Sequence, residues 1–130
     1  MDWLNTNSML LTEKTLDNLW QRQRLTLQNI ANAETPGYKA KYATFEEELK
    51  LSLSKLDRKR ASKATEVGDK IRDSKLWIHE SPEESTRLDG NNVQVDAENL
   101  ELVRSQFQYE YALRQATEEL SRLRTAITGS

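Results

Sequence analysis

The chain has 130 residues, of which 36% are hydrophobic and 31% charged; this is a lean supply of core, so a self-sufficient globule is not expected. Its 19 basic and 21 acidic residues leave a net charge of −2, which excludes a bulk field toward nucleic acid or anionic membrane, and the absence of cysteine excludes disulfide staples and cysteine metal sites. No apolar run approaches membrane-spanning length, and Met1-Asp2-Trp3-Leu4-Asn5 lacks the basic-then-apolar pattern of a cleaved signal peptide, which on residues alone reads as cytoplasmic.

Three helical patterns flank a polar middle. In the first, Leu16, Trp20, Gln23, Leu27 and Ile30 alternate steps of four and three, a heptad seam with one polar interruption that Leu19 broadens. Its end is chemical: Pro36 disfavours the α region at Thr35, and Pro36-Gly37 fits the centre of a type II turn with Gly37 at positive φ. Thr44-Phe45-Glu46-Glu47 then reads as a capping box, followed by Phe45, Leu49, Leu53 and Leu56 on one face of a short helix. Residues 57–92 hold few large apolar side chains. There Leu76-Trp77-Ile78 reads as a short strand or an anchor, Ser81-Pro82-Glu83-Glu84 as a capped helical turn, and Asp89-Gly90 as a tight turn. In the third pattern Asp96 is the expected N-cap, with Val95 and Leu100 at hydrophobic-staple positions. Leu102, Gln106, Tyr109, Leu113, Ala116, Leu120, Leu123 and Ile127 follow, again by fours and threes. The two seams are alike in kind, so the chain's ends are expected to pair while the middle projects. The fold class is mainly α, a coiled-coil-like terminal pair with a short third helix and a small irregular or partly β middle. Its organisation is an N-terminal helix and bend over 1–43, a short helix and variable middle over 44–92, and a C-terminal helix over 93–130.

Chemistry is harder to find. His79 has no second histidine or cysteine for a metal and reads as an ordinary surface or packing residue. Glu46-Glu47-Glu48, Glu83-Glu84 and Glu118-Glu119 suggest carboxylate pairs, but neighbours on a helix point about 100° apart, which suits solvated faces better than acid/base catalysis. Asp89-Gly90-Asn91-Asn92 has calcium-loop composition without the later bidentate glutamate, and reads as a turn. Lys55, Arg58, Lys59, Arg60 and Lys63 form a basic cluster with no interleaved aromatics, more a solvated helix end or a contact for an acidic neighbour than a nucleic-acid site. No catalytic residue, metal, cofactor, nucleic acid or small-molecule substrate is indicated.

Two blocks of sequence in the right order carry a resemblance. Leu16-Asp17-Asn18-Leu19, Gln21 to Arg24, Asn29-Ile30-Ala31-Asn32-Ala33, Thr35-Pro36-Gly37-Tyr38 and Phe45 to Lys50 form the first; Leu88 to Val93, Asp96, Tyr109 and a last helix reaching Ile127 form the second. Together they resemble the flagellar axial proteins of rod, hook and hook-associated type, the proximal rod proteins most of all. Glu34 stands where a small or amide residue is commoner, and residues 55–87 lie outside the resemblance. The resemblance implies a structural subunit of the basal-body rod, partnered by its own copies, other rod proteins, the rod base and the export apparatus. It also implies export through the flagellar type III apparatus without a cleaved signal, and a place in the periplasmic rod of the cell envelope. Asn29, Ala31, Asn32, Thr35, Pro36, Gly37 and Tyr38 would shape the bend. Leu16, Leu19, Trp20, Leu27 and Ile30 would form the assembly interface with Leu102, Tyr109, Leu113, Ala116, Leu120, Leu123 and Ile127. Two readings from other classes compete: a cytoplasmic helical adaptor or export chaperone, which would be a stable dimer that does not polymerise, and a peptidoglycan hydrolase, which would need convergent carboxylates.

Overall fold

The computed structural model describes residues 7–47, 49–50 and 64–129. The described part is mainly helical: α1 (Asn7–Ala31), β1 (Lys41–Thr44), α2 (Ala64–Asp73), β2 (Trp77–Glu80) and α3 (Val95–Thr128) follow in that order. The two long terminal helices pack along each other, as the paired seams predict. The basic cluster between Lys55 and Lys63, and Leu53 and Leu56 of the expected second helix, lie outside the described residues.

The polar middle does not simply project. β2 pairs antiparallel with β1, with Lys41 opposite Glu80 and Thr44 opposite Trp77, so the apolar Leu76-Trp77-Ile78 cluster is a strand end. Tyr42 and His79, opposite each other in that ribbon, stack with ring centroids 5.3 Å apart. α2 returns to the start of α1, and Gly68 permits this approach: a Cβ there would stand 2.7 Å from Asn7 Oδ1. Two small cores result. Phe45, Leu49 and Ile71 form one, joined by Leu10, Val67 and Leu76; Ala33, Ala40 and Val93 form the other beneath Tyr38.

Three local readings need correction. Thr44 ends β1 with its hydroxyl 2.9 Å from His79 Nε2, while the Phe45 carbonyl accepts from Leu49 N–H at 2.8 Å, so the expected capping box straddles a strand end. Ser81 to Glu84 is not a helical turn, because Asn92 Nδ2 donates to the carbonyls of Ser81 and Glu83 and keeps them from helical bonds. α3 begins one residue before Asp96: Gln94 is its N-cap without a side-chain bond, Asp96 sits in the first turn beside the positive helix end, and the expected staple residues Val95 and Leu100 are both exposed. At its far end Gly129, at φ 69°, closes α3 in the left-handed region with its N–H on the Thr125 carbonyl.

Candidate functional site

The bend after α1 has the geometry its residues dictate. Tyr38 N–H donates to the Thr35 carbonyl at 3.2 Å and Gly37 has φ 73°, the pattern of a type II turn on Pro36-Gly37. Opposite it stands a second left-handed glycine, Gly90 at φ 76°, and the two loops are tied by Gly37 N–H to the Asp89 carbonyl at 2.7 Å. A Cβ on Gly37 would meet nothing within 4 Å, so only backbone strain opposes a side chain there. Gly37→Val is therefore expected to lower stability by about 1 to 3 kcal/mol, measured by urea denaturation, with α1 helicity retained; an unchanged midpoint would contradict it.

Three asparagines lock this bend to both helices. Asn29 is buried at the end of α1, where its Oδ1 accepts from Lys41 N–H at 2.9 Å and the Tyr38 hydroxyl at 3.1 Å. Its Nδ2 donates to the Lys41 carbonyl at 2.8 Å and to Glu98 Oε2 of α3 at 3.1 Å. Asn91, with no exposed surface, donates to the carbonyls of Asn32 and Thr35 at 2.8 and 2.9 Å and accepts from Val93 N–H. Asn92 accepts from Ala40 N–H at 2.7 Å. Arg87 adds a charge-assisted bond, 2.6 Å to the Ala33 carbonyl, while bridging to Asp89 at 3.0 Å. Of the residues expected at the bend, Asn29, Asn32, Thr35, Gly37 and Tyr38 thus make its bonds; Ala31 and Pro36 are exposed.

Glu98 is the titratable member of this lock. Burial raises its carboxyl above the ordinary 4.5, the Asn29 hydrogen bond opposes that shift, and Glu101 adds to it. Burial, then Glu98 and Glu80, likewise raise the Tyr38 hydroxyl. A raised carboxyl in the folded state stabilises the fold below the ordinary value and loses that contribution as pH rises through the folded one. Glu98→Gln, whose amide oxygen can still accept from Asn29, should therefore be more stable than the parent at pH 7 and lose the advantage near pH 4, read from thermal midpoints across pH. A variant less stable than the parent at pH 7 would contradict this.

The face that α1 buries is one that periodicity indicated only through Leu19. α1 buries Asn18, Leu19, Leu25, Thr26 and Asn29, and α3 buries Ser105 and Ala112. Small and polar side chains let the two backbones approach. The predicted seams split into two heptad rows. Leu16, Gln23 and Ile30 on α1, with Leu102, Tyr109, Ala116 and Leu123 on α3, are half-buried along the flank of the contact. The alternate row faces outward: Trp20 is 50% exposed and Leu27 52%, while Leu113, Leu120 and Ile127 are 48%, 55% and 60% exposed. Among the expected interface residues, only Leu19 is fully buried within the subunit.

The pair is also loosely closed at one end. A groove lined by Ser8, Thr12, Thr15, Ala112 and Gln115 separates the start of α1 from the far half of α3. Ser8 Oγ bridges it to Glu119 Oε1 at 2.6 Å, leaving Glu119 Oε2 shut from solvent without a partner.

Relatives share this chain over nearly its whole length. The flagellar basal body rod protein FlgB of Bacillus subtilis is 33% identical over 118 residues, covering 90% of each chain. The chain belongs to the FlgB family. The FlgB protein of Borrelia hermsii is 33% identical over 78% of this chain and 82% of its own, and that of Buchnera aphidicola 29% identical over 90% and 91%. No protein-family model matches the chain. No group of three or more possible metal ligands occurs among the described residues.

Proposed function

We propose that this chain is a structural subunit of the flagellar basal-body rod that assembles through its two terminal helices. Kinship with FlgB proteins over nine-tenths of the chain supports the role, and the outward heptad rows support the route. Trp20 and Leu27 on α1 and Leu113, Leu120 and Ile127 on α3 are apolar, seven residues apart, and uncovered within one copy. Burying them takes helices from other rod subunits, related copies or the rod base. Contacts between unlike surfaces, repeated around an axis, build an open filament, and interdigitated helices resist torque. The asparagine lock sets the angle at which the chain leaves that helical layer after Thr35. The role is mechanical rather than enzymatic, and the adaptor reading gains nothing from any FlgB relative.

A tagged copy should fractionate with detergent-extracted basal bodies of a flagellate host; recovery only in the soluble fraction would refute the rod role. On this reading export follows the type III route, directed by the segment from Met1 to Leu27. A reporter fused to that segment should be secreted and one fused to residues 44–87 should not; equal secretion would dismiss this.

A further inference from the structure

Beyond the two heptad rows, α3 carries another apolar stripe. Leu100, Val103, Phe107 and Tyr111 step by three and four residues and are 72%, 48%, 68% and 65% exposed. At about 100° per residue this stripe lies roughly opposite Ser105 and Ala112, which are buried on the α1 side. α3 therefore presents this stripe as well as its outward heptad row, and the subunit covers neither. Flanking the stripe is Glu110, and Arg114 continues it three residues after Tyr111; both are exposed and without a salt-bridge partner among the described residues, so the stripe has one unpaired charge of each sign beside it.

The outer row of α1 offers Glu110 a partner. Trp20, Arg24 and Leu27 stand at i, i+4 and i+7, and the Arg24 guanidinium lies 5.0 Å from the Trp20 ring centroid with no acidic partner among the described residues. Aromatic and aliphatic groups thus surround a free cation on α1, and a free carboxylate on α3. The two patches lie on different helices and do not overlap, so one copy can use both at once.

Resting on the rod reading above, we infer that the Leu100-Phe107 face of α3 in one copy docks on the Trp20-Leu27 face of α1 in a second copy of this chain, with Glu110 paired to Arg24. The contact is between unlike surfaces, so it propagates from copy to copy instead of closing a dimer. Charge complementarity selects the register, because a shift of one helical turn sets Arg24 against the apolar stripe.

The native chain has no cysteine, which makes the test clean. Leu27→Cys and Phe107→Cys variants, differently tagged, would be co-expressed in a flagellate host lacking its own copy, and basal bodies oxidised after extraction. The inference expects disulfide dimers joining one variant to the other when both are present, and none when either is alone. Arg24→Glu should abolish the cross-link and Glu110→Arg in the same chains should restore it. Tagged chains in basal bodies without mixed dimers, dimers formed by either variant alone, or cross-links to a different rod protein would each overturn the inference and leave the rod role standing. Absence of the chains from basal bodies would overturn both.

Discussion

Asn91→Ala is expected to lower the stability of the subunit by about 3 kcal/mol or more, because a buried polar group stripped of its partner costs about 1 to 3 kcal/mol and this change strips several. The Asn91 amide has no exposed surface and holds the carbonyls of Asn32 and Thr35 and the N–H of Val93. Its own carbonyl accepts from Ser85 Oγ, so the loop is bound on both sides. A loss of that size is large against the roughly 5 to 15 kcal/mol that holds a domain together. Asn91→Asp should cost as much, since it keeps the acceptor but turns a carboxylate toward two carbonyl oxygens. Urea denaturation followed by circular dichroism measures the effect; a midpoint within error of the parent would show that water or a shifted backbone replaces the amide. The consequence for assembly is angular. With the lock gone, α1 and α3 lose the ties that fix the bend between them, and rods should fail even where the helices persist.

The bend was legible in the sequence and its lock was not, for a physical reason. Pro36 acts through its fixed φ and Gly37 through its freedom to take positive φ, so Thr-Pro-Gly-Tyr predicts a turn from four adjacent residues, and the turn is there. Asn91 and Asn92 act across 52 to 59 residues of chain, and nothing local distinguishes an asparagine in a simple turn from one that staples two loops. Two adjacent asparagines after Asp89-Gly90 were the available signal.

The helices illustrate a related limit. Heptad periodicity located α1 and α3 and indicated their pairing, but an apolar stripe reports only that something covers it. Here Trp20, Leu27, Leu113 and Leu120 face outward, while α1 buries Asn18, Thr26 and Asn29 beside Leu19 and Leu25, and α3 buries Ser105 and Ala112. Apart from the two leucines these are small or polar residues without hydrophobic periodicity, so most of that face is silent in a pattern search. The stripe through Leu100, Val103, Phe107 and Tyr111 escaped for the opposite reason. It is periodic, but it overlaps a longer seam that accounts for the same helix.

Leu113→Lys separates the fold from the assembly. Leu113 is 48% exposed in the isolated subunit, so a lysine there lays its stem on the surface and keeps its ammonium in water, and subunit stability should change by no more than about 0.5 kcal/mol. On the proposed assembly route the same position is covered in the rod. Burial worth about 1.5 to 3 kcal/mol is then lost and a charge must be desolvated at a further cost of several kcal/mol, in every copy of the repeat. The variant should fold and be exported normally yet yield few or no complete rods, whereas Leu113→Met, which keeps volume and apolarity, should assemble. His79→Gln, on β2 and outside the heptad rows, should leave swimming intact. Swimming plates, electron microscopy of basal bodies and a thermal melt of the purified chain read all three together. Normal rods from Leu113→Lys would mean that the outward row stays in solvent after assembly, and a collapsed melt would mean that it belongs to the subunit's own core.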